Sequence, residues 1–218
     1  MQQPIFTPES SWTIPAVFPT FDERETIAID LETYDPHLMT CGPGWATNRG
    51  HIVGIGVATK DWKGYFPIRH EGGGNLDADI TLRWLRNTLS SSKRKVIFHN
   101  ALYDVGWLRR EGVDVKGQIL DTIIAAPLID ENRYSYSLDN LGSHYCDEKK
   151  DESLLQDAAL AFGINPKSQM YKLPSKYVGP YGEQDAALTL KLWDKLKIEI
   201  SEQNLDKILD MECRLIPL

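Results

Sequence analysis

Cysteine is scarce in this sequence of 218 residues, which contains three: Cys41, Cys146 and Cys213. An odd number of widely separated cysteines fits neither a disulfide framework nor a zinc site. The five histidines show no ligand spacing either. The sequence therefore predicts free thiols in a reducing compartment such as the cytoplasm, and it excludes a small domain that depends on disulfides or zinc.

Long apolar runs and an excess of basic charge are also absent. No stretch approaches the roughly 20 apolar residues of a membrane span, and residues 1–4 have neither the basic nor the apolar region of a secretory signal. We therefore expect no membrane partner. The net charge of −7 argues against broad electrostatic binding of nucleic acid. It leaves open a local site in which metal ions bridge protein carboxylates and a phosphodiester.

The order of hydrophobic patterns predicts an α/β fold with a mixed five-stranded sheet flanked by helices. After a proline-rich, irregular arm at residues 1–25, three strands with short connections predict an antiparallel meander. Helices and strands then alternate, which favours parallel pairing with right-handed crossovers. The predicted strands cover residues 26–33, 51–60, 62–68, 95–98 and 112–120, and the predicted helices cover 79–90, 101–111 and 123–130.

The other segments are less regular. Residues 34–50 are rich in turn formers and predict a loop, and Ser137 is expected to cap a short helix. Residues 147–180 are polar, contain several lysines and three prolines, and show no clear period. From Tyr181 the pattern is helical almost to the end of the chain.

Two carboxylates stand side by side on the first predicted strand. Ile29 and Leu31 alternate with Asp30 and Glu32, so the two acids share one strand face. Like charges at this spacing raise each other's pKa, and burial adds to the free-energy cost of ionising both carboxyl groups. A divalent cation removes the repulsion because hard cations take carboxylate oxygens as ligands. Two such carboxylates without other motifs more often reach solvent at a strand end. The metal-site interpretation therefore needs support from residues further along the chain.

Two further motifs occur later in the chain. Asn100 comes directly after the fourth strand, where it can cap the next helix, and Asp104 lies one turn into that helix. Tyr181 and Asp185 are four residues apart and share one helix face. Each motif alone is more typical of an ordinary helix surface or a hydrogen-bonded pair.

Together, D-x-E, N-x3-D and Y-x3-D in this order resemble the three motifs of the DEDD 3′→5′ exonucleases, in the subtype whose last motif carries tyrosine. The resemblance is greatest to the proofreading domains of family A DNA polymerases, especially phage ones, and it covers about residues 22–200. It implies a ribonuclease H-like fold and a single-stranded DNA 3′ end as the substrate. It also implies a protein that works in the cytoplasm of a bacterial cell, with a phage as one source of its gene.

The resemblance also assigns roles to individual residues. It implies two ions of Mg²⁺ or Mn²⁺, which suit hard oxygen ligands, and a tyrosine that orients the attacking water. The implied metal ligands are Asp30, Glu32, Asp104 and Asp185, the implied orienting residue is Tyr181, and the implied substrate-binding residues are Thr33, Leu38 and Asn100. Asp121 is interpreted as a helix cap, and Glu183 as lying on a different helix face from Asp185.

Three interpretations of function stay open. The first is a proofreading 3′→5′ exonuclease, the second is an exoribonuclease of the ribonuclease D type, and the third is a catalytically inactive scaffold of the same fold. The presence of every motif residue argues against the third. The resemblance divides the chain into an arm at 1–25, an exonuclease domain at 26–200, and a helical segment at 201–218 similar to the start of a polymerase domain. It therefore implies a polymerase domain, in cis or in trans, as partner.

Overall fold

One mixed sheet organises the computed structural model, which describes Pro4 and residues 6–216. Its strand order is β3-β2-β1-β4-β5. The strands are β1 (Ile27–Tyr34), β2 (His51–Ala58), β3 (Lys63–Pro67), β4 (Lys95–Phe98) and β5 (Gln118–Asp121). β1, β2 and β3 pair antiparallel, whereas β4 is parallel to β1 and β5 is parallel to β4. The predicted mixed five-stranded α/β sheet is confirmed.

Helices cover both faces of the sheet. They are α1 (Leu38–Cys41), α2 (Gly44–Thr47), α3 (Ala78–Leu89), α4 (Ala101–Arg110), α5 (Thr122–Ile129), α6 (Leu138–Tyr145), α7 (Ser153–Phe162), α8 (Ser175–Glu202) and α9 (Asp206–Leu215). The predicted caps Asp121 and Ser137 are confirmed, because each accepts a backbone N–H of the first turn of α5 and α6. Asp77 caps α3 in the same way.

Three segments differ from the sequence prediction. Residues 34–50, predicted as a loop, contain α1 and α2, whose four residues each are too few to show a period. The fifth strand begins at Gln118 and not at Gly112, because Gly112 turns the chain at φ 71° and the Lys116 N–H bonds to the end of α3. The segment 147–180, which had no clear period, contains α7 and the start of α8.

The last helical prediction was wrong at its start and in its middle. α8 begins at Ser175 and contains Pro180, and the Ser10 hydroxyl donates to the Lys176 carbonyl at 2.8 Å. That carbonyl is the one that proline leaves without its helical partner. Downstream, the left-handed residue Asn204 (φ 59°) separates α8 from α9. The last two residues of the predicted helical segment 201–218 lie outside the described residues.

The N-terminal arm forms no helix or strand within its described residues, but it packs on the core. Phe18 stacks on Phe66 of β3 with ring centroids 5.6 Å apart, and Phe21 contacts Trp62 and Trp84. Trp12 donates its indole N–H to Glu183 on α8 at 2.8 Å. The arm therefore supports the helix that carries the last motif.

Two glycines let α8 lie directly on the sheet. A Cβ on Gly56 of β2 would lie 2.4 Å from the Gly182 carbonyl oxygen of α8, and a Cβ on Gly182 would lie 2.5 Å from the Tyr65 ring. Gly56 pairs with Asp30 across β1 and β2. The distance between the first and last motifs is therefore set by a backbone contact that no larger residue permits.

We predict that Gly56→Ala destabilises the protein and separates Asp185 from Asp30. The added methyl group must push α8 away from β2, which typically costs about 1–3 kcal/mol in a packed core. Urea unfolding measures this loss, and divalent-ion binding should weaken with it. Gly163→Ala is the control, because Gly163 (φ 65°) has open space around it and adds only backbone strain at the end of α7. Equal ion binding in Gly56→Ala and the unmodified protein would contradict the prediction.

Candidate active site

The three motifs meet on one face of the sheet. Asp30 and Glu32 project from β1 opposite Gly56 and Gly54 of β2, which leaves room for α8 above them. Carboxylate oxygens of Asp30, Glu32 and Asp185 all lie within 4.8 Å of one another. Two strand residues and one residue of a distant helix thus form a single acidic cluster.

Asp104 lies next to this cluster and not within its tightest part. Asp104 is 6% exposed, in the first turn of α4, and burial together with the charge of Asp30 raises its pKa. The start of α4 is held by Asp121, whose carboxylate accepts the backbone N–H groups of Asn100 at 2.9 Å and Ala101 at 2.7 Å. The same carboxylate caps α5. Asp121 therefore holds the starts of two helices, of which the sequence predicted one.

The carboxyl groups are costly to ionise in this environment. Burial raises the pKa of Asp30 to about 8, with the charge of Asp185 adding to the shift. Burial and then the charges of Asp30 and Asp185 raise the pKa of Glu32, and burial raises the pKa of Asp185. Asp30 and Glu32 keep a small exposed surface, but protein surrounds both carboxyl groups on nearly all sides.

Tyr181 and a lysine outside every motif complete the cluster. The Lys150 ammonium donates to Asp185 Oδ2 at 2.9 Å and to the Tyr181 hydroxyl at 3.2 Å. Burial, together with the charges of Glu32 and Asp185, raises the pKa of Tyr181, which is therefore protonated at neutral pH. Lys150 comes from the polar segment 147–180, and no spacing in the sequence distinguishes it from the adjacent Lys149.

The predicted substrate residues lie in three places. Asn100 occupies the N-cap position of α4 in a left-handed conformation (φ 78°), but its side chain makes no capping bond, so the expectation that it caps the helix was wrong. Thr33 shares a 2.9 Å hydrogen bond with the Tyr103 hydroxyl. Leu38 is 38% exposed at the start of α1.

The cluster fits a hard divalent cation. Its ligand atoms are carboxylate oxygens, which suit Mg²⁺ or Mn²⁺. Asp185 Oδ1 is buried without a hydrogen-bond partner among the described residues, and such an atom normally has one. A cation among Asp30, Glu32 and Asp185 would satisfy it and would also remove the repulsion that raises the carboxyl pKa values.

Fold and site together define a protein with the architecture of ribonuclease H-like nucleases and a carboxylate cluster at the expected place. Residues 17–201 match the family model DNA_pol_A_exo1, described as 3′-5′ exonuclease. The chain belongs to this exonuclease family, as the three sequence motifs predicted.

The related sequences are DNA polymerases. Over its whole length the chain is 38% identical to a DNA-directed DNA polymerase of Pseudomonas phage M6, and over 93% of its length it is 31% identical to DNA polymerase DpoZ of Salmonella phage PMBT28. It covers 34% and 31% of those two proteins. The chain thus spans about a third of the length of these relatives.

The solved structures that it resembles share the fold at low identity. Brucella melitensis NrnC with bound Mg²⁺ has a TM-score of 0.62 at 16% identity, covering 92% of this chain and 86% of that one. Escherichia coli RNase D, an exoribonuclease, has a TM-score of 0.59 at 16% identity, covering 88% and 44%. These similarities confirm the ribonuclease H-like fold. Among the described helices, none has the length and apolar character needed to cross a membrane.

We predict that the stability of the protein, once divalent ions are removed, falls as pH rises from 6.5 to 8. The pKa of Asp30 is raised to about 8, so the folded state holds a proton that the unfolded state has already lost. This contribution to stability is complete below about pH 4, the ordinary carboxyl pKa, and is lost as pH rises through the folded pKa. Thermal melts in EDTA measure the slope, and Asp30→Asn should flatten it.

His70, which is buried, and His99, which is half-buried, explain the choice of pH window. Burial lowers the pKa of His70 and of His99 to about 4, so their contribution has the opposite sign below pH 6.5. Asp114→Asn, at an exposed residue paired with Lys116, is the control and should keep the slope. If the melting temperature depends on pH in the same way in Asp30→Asn and in the unmodified protein, Asp30 ionises with an ordinary carboxyl pKa.

Proposed function

We propose that this chain removes nucleotides from the 3′ ends of DNA strands by metal-dependent phosphodiester hydrolysis, as the proofreading part of a DNA polymerase. The observation that carries the proposal is the convergence of Asp30, Glu32 and Asp185 within 4.8 Å, next to Tyr181. Membership of the 3′-5′ exonuclease family and the similarity to phage DNA polymerases support it.

Four carboxylates would hold the ions. Asp30, Glu32 and Asp185 offer oxygens to one ion, and Asp104, next to Asp30, adds a ligand for a second. When bound, such a pair of ions lowers the pKa of water and stabilises charge on the leaving oxygen. The carboxylates in turn offset most of the positive charge of two divalent ions.

Tyr181 acts as a hydrogen-bond donor and not as a base. Its raised pKa keeps the hydroxyl proton in place at neutral pH, and a group that holds its proton cannot remove one from water. The hydroxyl therefore orients the attacking water. This role fits a residue on the same helix face as Asp185, one turn earlier.

Exposed apolar residues on α1 and α4 are proposed to contact a strand end. Leu38 and Leu102 expose 38% and 58% of their surface, and Leu102 lies in the first turn of α4, two residues after Asn100. Apolar side chains of this kind can contact the last bases without reading sequence. Asn100 and Thr33 add polar groups for the terminal nucleotide. A frayed single strand is therefore the preferred substrate, since unpairing a duplex end costs a few kcal/mol.

We predict metal-dependent release of mononucleotides from the 3′ end of single-stranded DNA. A 3′-labelled strand should lose its label at once, and a 5′-labelled strand should give a ladder of shortened products. EDTA should abolish both, and Mg²⁺ or Mn²⁺ should restore them. Asp104→Asn and Asp185→Asn should each lower the rate by on the order of 100-fold or more, because each removes several kcal/mol of transition-state stabilisation.

The same assay separates the alternatives. Asp114→Asn removes an exposed carboxylate and should leave the rate unchanged. Matched DNA and RNA strands run side by side decide the substrate, and a faster rate on RNA would favour an exoribonuclease. No cleavage of either strand with any divalent ion would favour an inactive scaffold. Undiminished cleavage in EDTA would overturn the metal-dependent mechanism.

The proposed polymerase partner is supported by helix α9. Leu209, Cys213 and Ile216 at this helix are buried against the rest of the chain. On its other side Ile208, Met211 and Leu215 are 43%, 54% and 55% exposed and recur at helical spacing. The chain covers about a third of each polymerase relative, so about two thirds of each relative lies outside the matched segment. The exposed face of α9 is therefore proposed to pack on the polymerase portion.

We predict that Met211→Asp weakens association with a polymerase portion prepared from the Pseudomonas phage M6 relative. A charge placed in an apolar contact must be desolvated without a partner, which costs several kcal/mol. Sedimentation velocity of the mixed chains measures association, and Asn87→Asp on the exposed side of α3 is the matched control. Unchanged exonuclease activity of Met211→Asp alone is expected. Equal association of both variants would show that α9 is not the contact.

A further inference from the structure

Lys150 is buried in the acidic cluster although it belongs to no motif. Its side chain is 8% exposed, and its ammonium lies 4.8 Å from the centroid of the Tyr181 ring in addition to its bonds to Tyr181 and Asp185. A lysine is rarely buried unless it is paired. The cost of this burial is therefore offset by these specific contacts.

The loop that carries Lys150 is held on α8 by a second set of bonds. The Asp151 N–H donates to Gln184 Oε1 at 3.1 Å, and Gln184 Nε2 donates to the Lys149 carbonyl at 3.5 Å. Residues on both sides of Lys150 are thus tied to the residue that precedes Asp185. This arrangement places the ammonium at a defined point relative to both functional side chains of α8.

The ammonium contacts only one oxygen of Asp185. Oδ2 accepts its hydrogen bond at 2.9 Å, whereas Oδ1 is buried and has no hydrogen-bond partner in the part of the chain that the structure describes. Here one oxygen remains for a cation, so Lys150 and a cation can use Asp185 at the same time.

The contact with Tyr181 has a direction. An ammonium carries donors and no acceptor, so the tyrosine oxygen must accept from Lys150. The hydroxyl proton of Tyr181 is then left for donation to the neighbouring Asp185 carboxylate or to a water molecule that takes its place as acceptor. Donation to a water molecule is the hydrogen bond that a residue orienting that water must make.

We propose that Lys150 is a positioning residue, which fixes the metal-binding carboxylate of Asp185 and the donor direction of the Tyr181 hydroxyl. This inference rests on the proposed function. The ammonium also lies 3.8 Å from Asp139 Oδ1, so Asp185 shares its positive charge with a second, exposed carboxylate. Hydrogen-bonded partners of metal ligands act in this way in other metal sites.

The test is Lys150→Met, which keeps the length and apolar stem of the side chain but removes its charge and donors. Lys149→Met is the matched control, because Lys149 is adjacent and exposed. We expect kcat on single-stranded DNA to fall by about 10–100-fold, as is typical for such partners, with KM little changed. Mn²⁺ binding without DNA, measured by calorimetry, should be retained or tightened, because a nearby positive charge has been removed.

A Tyr181→Phe background tests whether Lys150 acts through Tyr181. There the loss from Lys150→Met should be smaller than in the unmodified protein, since the hydroxyl that it orients is already gone. Equal losses in both backgrounds would overturn the assigned link to Tyr181. A kcat for Lys150→Met within about threefold of the unmodified protein would overturn the positioning role, since removal of such partners typically costs at least tenfold.

The measurements also distinguish a structural role of Lys150 from a failure of the proposed function. Loss of Mn²⁺ binding together with a lower melting temperature in Lys150→Met would show a structural role and overturn the proposal. Failure of the proposed function would instead appear as an inactive unmodified protein. An active unmodified protein with fully active Lys150→Met would overturn only the inference about Lys150.

Discussion

Repulsion among buried carboxylates is the constraint on which this structure depends. Asp30, Glu32 and Asp185 are held together within 4.8 Å, and burial and mutual charge raise their pKa values. A fold gains nothing in stability from such a cluster. The arrangement makes physical sense as a site for cations, and the elements around it hold the acids together against their repulsion.

Close backbone packing provides that rigidity. Gly56 and Gly182 let α8 lie directly on β2, the strand that pairs with Asp30, so the helix and the first motif pack without a gap. The arm supports the same helix from outside, where Ser10 bonds the carbonyl that Pro180 leaves free and Trp12 bonds Glu183. Residues far apart in the chain thus support the position of one helix turn, which carries Tyr181 and Asp185.

Lys150 links this packing to the electrostatics of the site. One ammonium offsets part of the negative charge and bonds to both residues of the last motif. Burial lowers the pKa of Lys150, but the charge and hydrogen bond of Asp185 outweigh burial, so its pKa is raised overall and the group stays charged. The proposed nuclease site therefore combines four acids with one fixed positive charge.

Periodicity and motif order in the sequence determined the sheet, its strand types, the main helices and the acidic motif residues. These features are local, since alternation, caps and spacing depend on neighbours in the chain. Only the tertiary structure shows how α8 contains Pro180, because the carbonyl that this proline leaves without a helical partner is bonded by Ser10, 166 residues away in the sequence. It alone separated Lys150 from Lys149, because burial against Asp185 and Tyr181 is a property of the folded chain and leaves no pattern in the sequence.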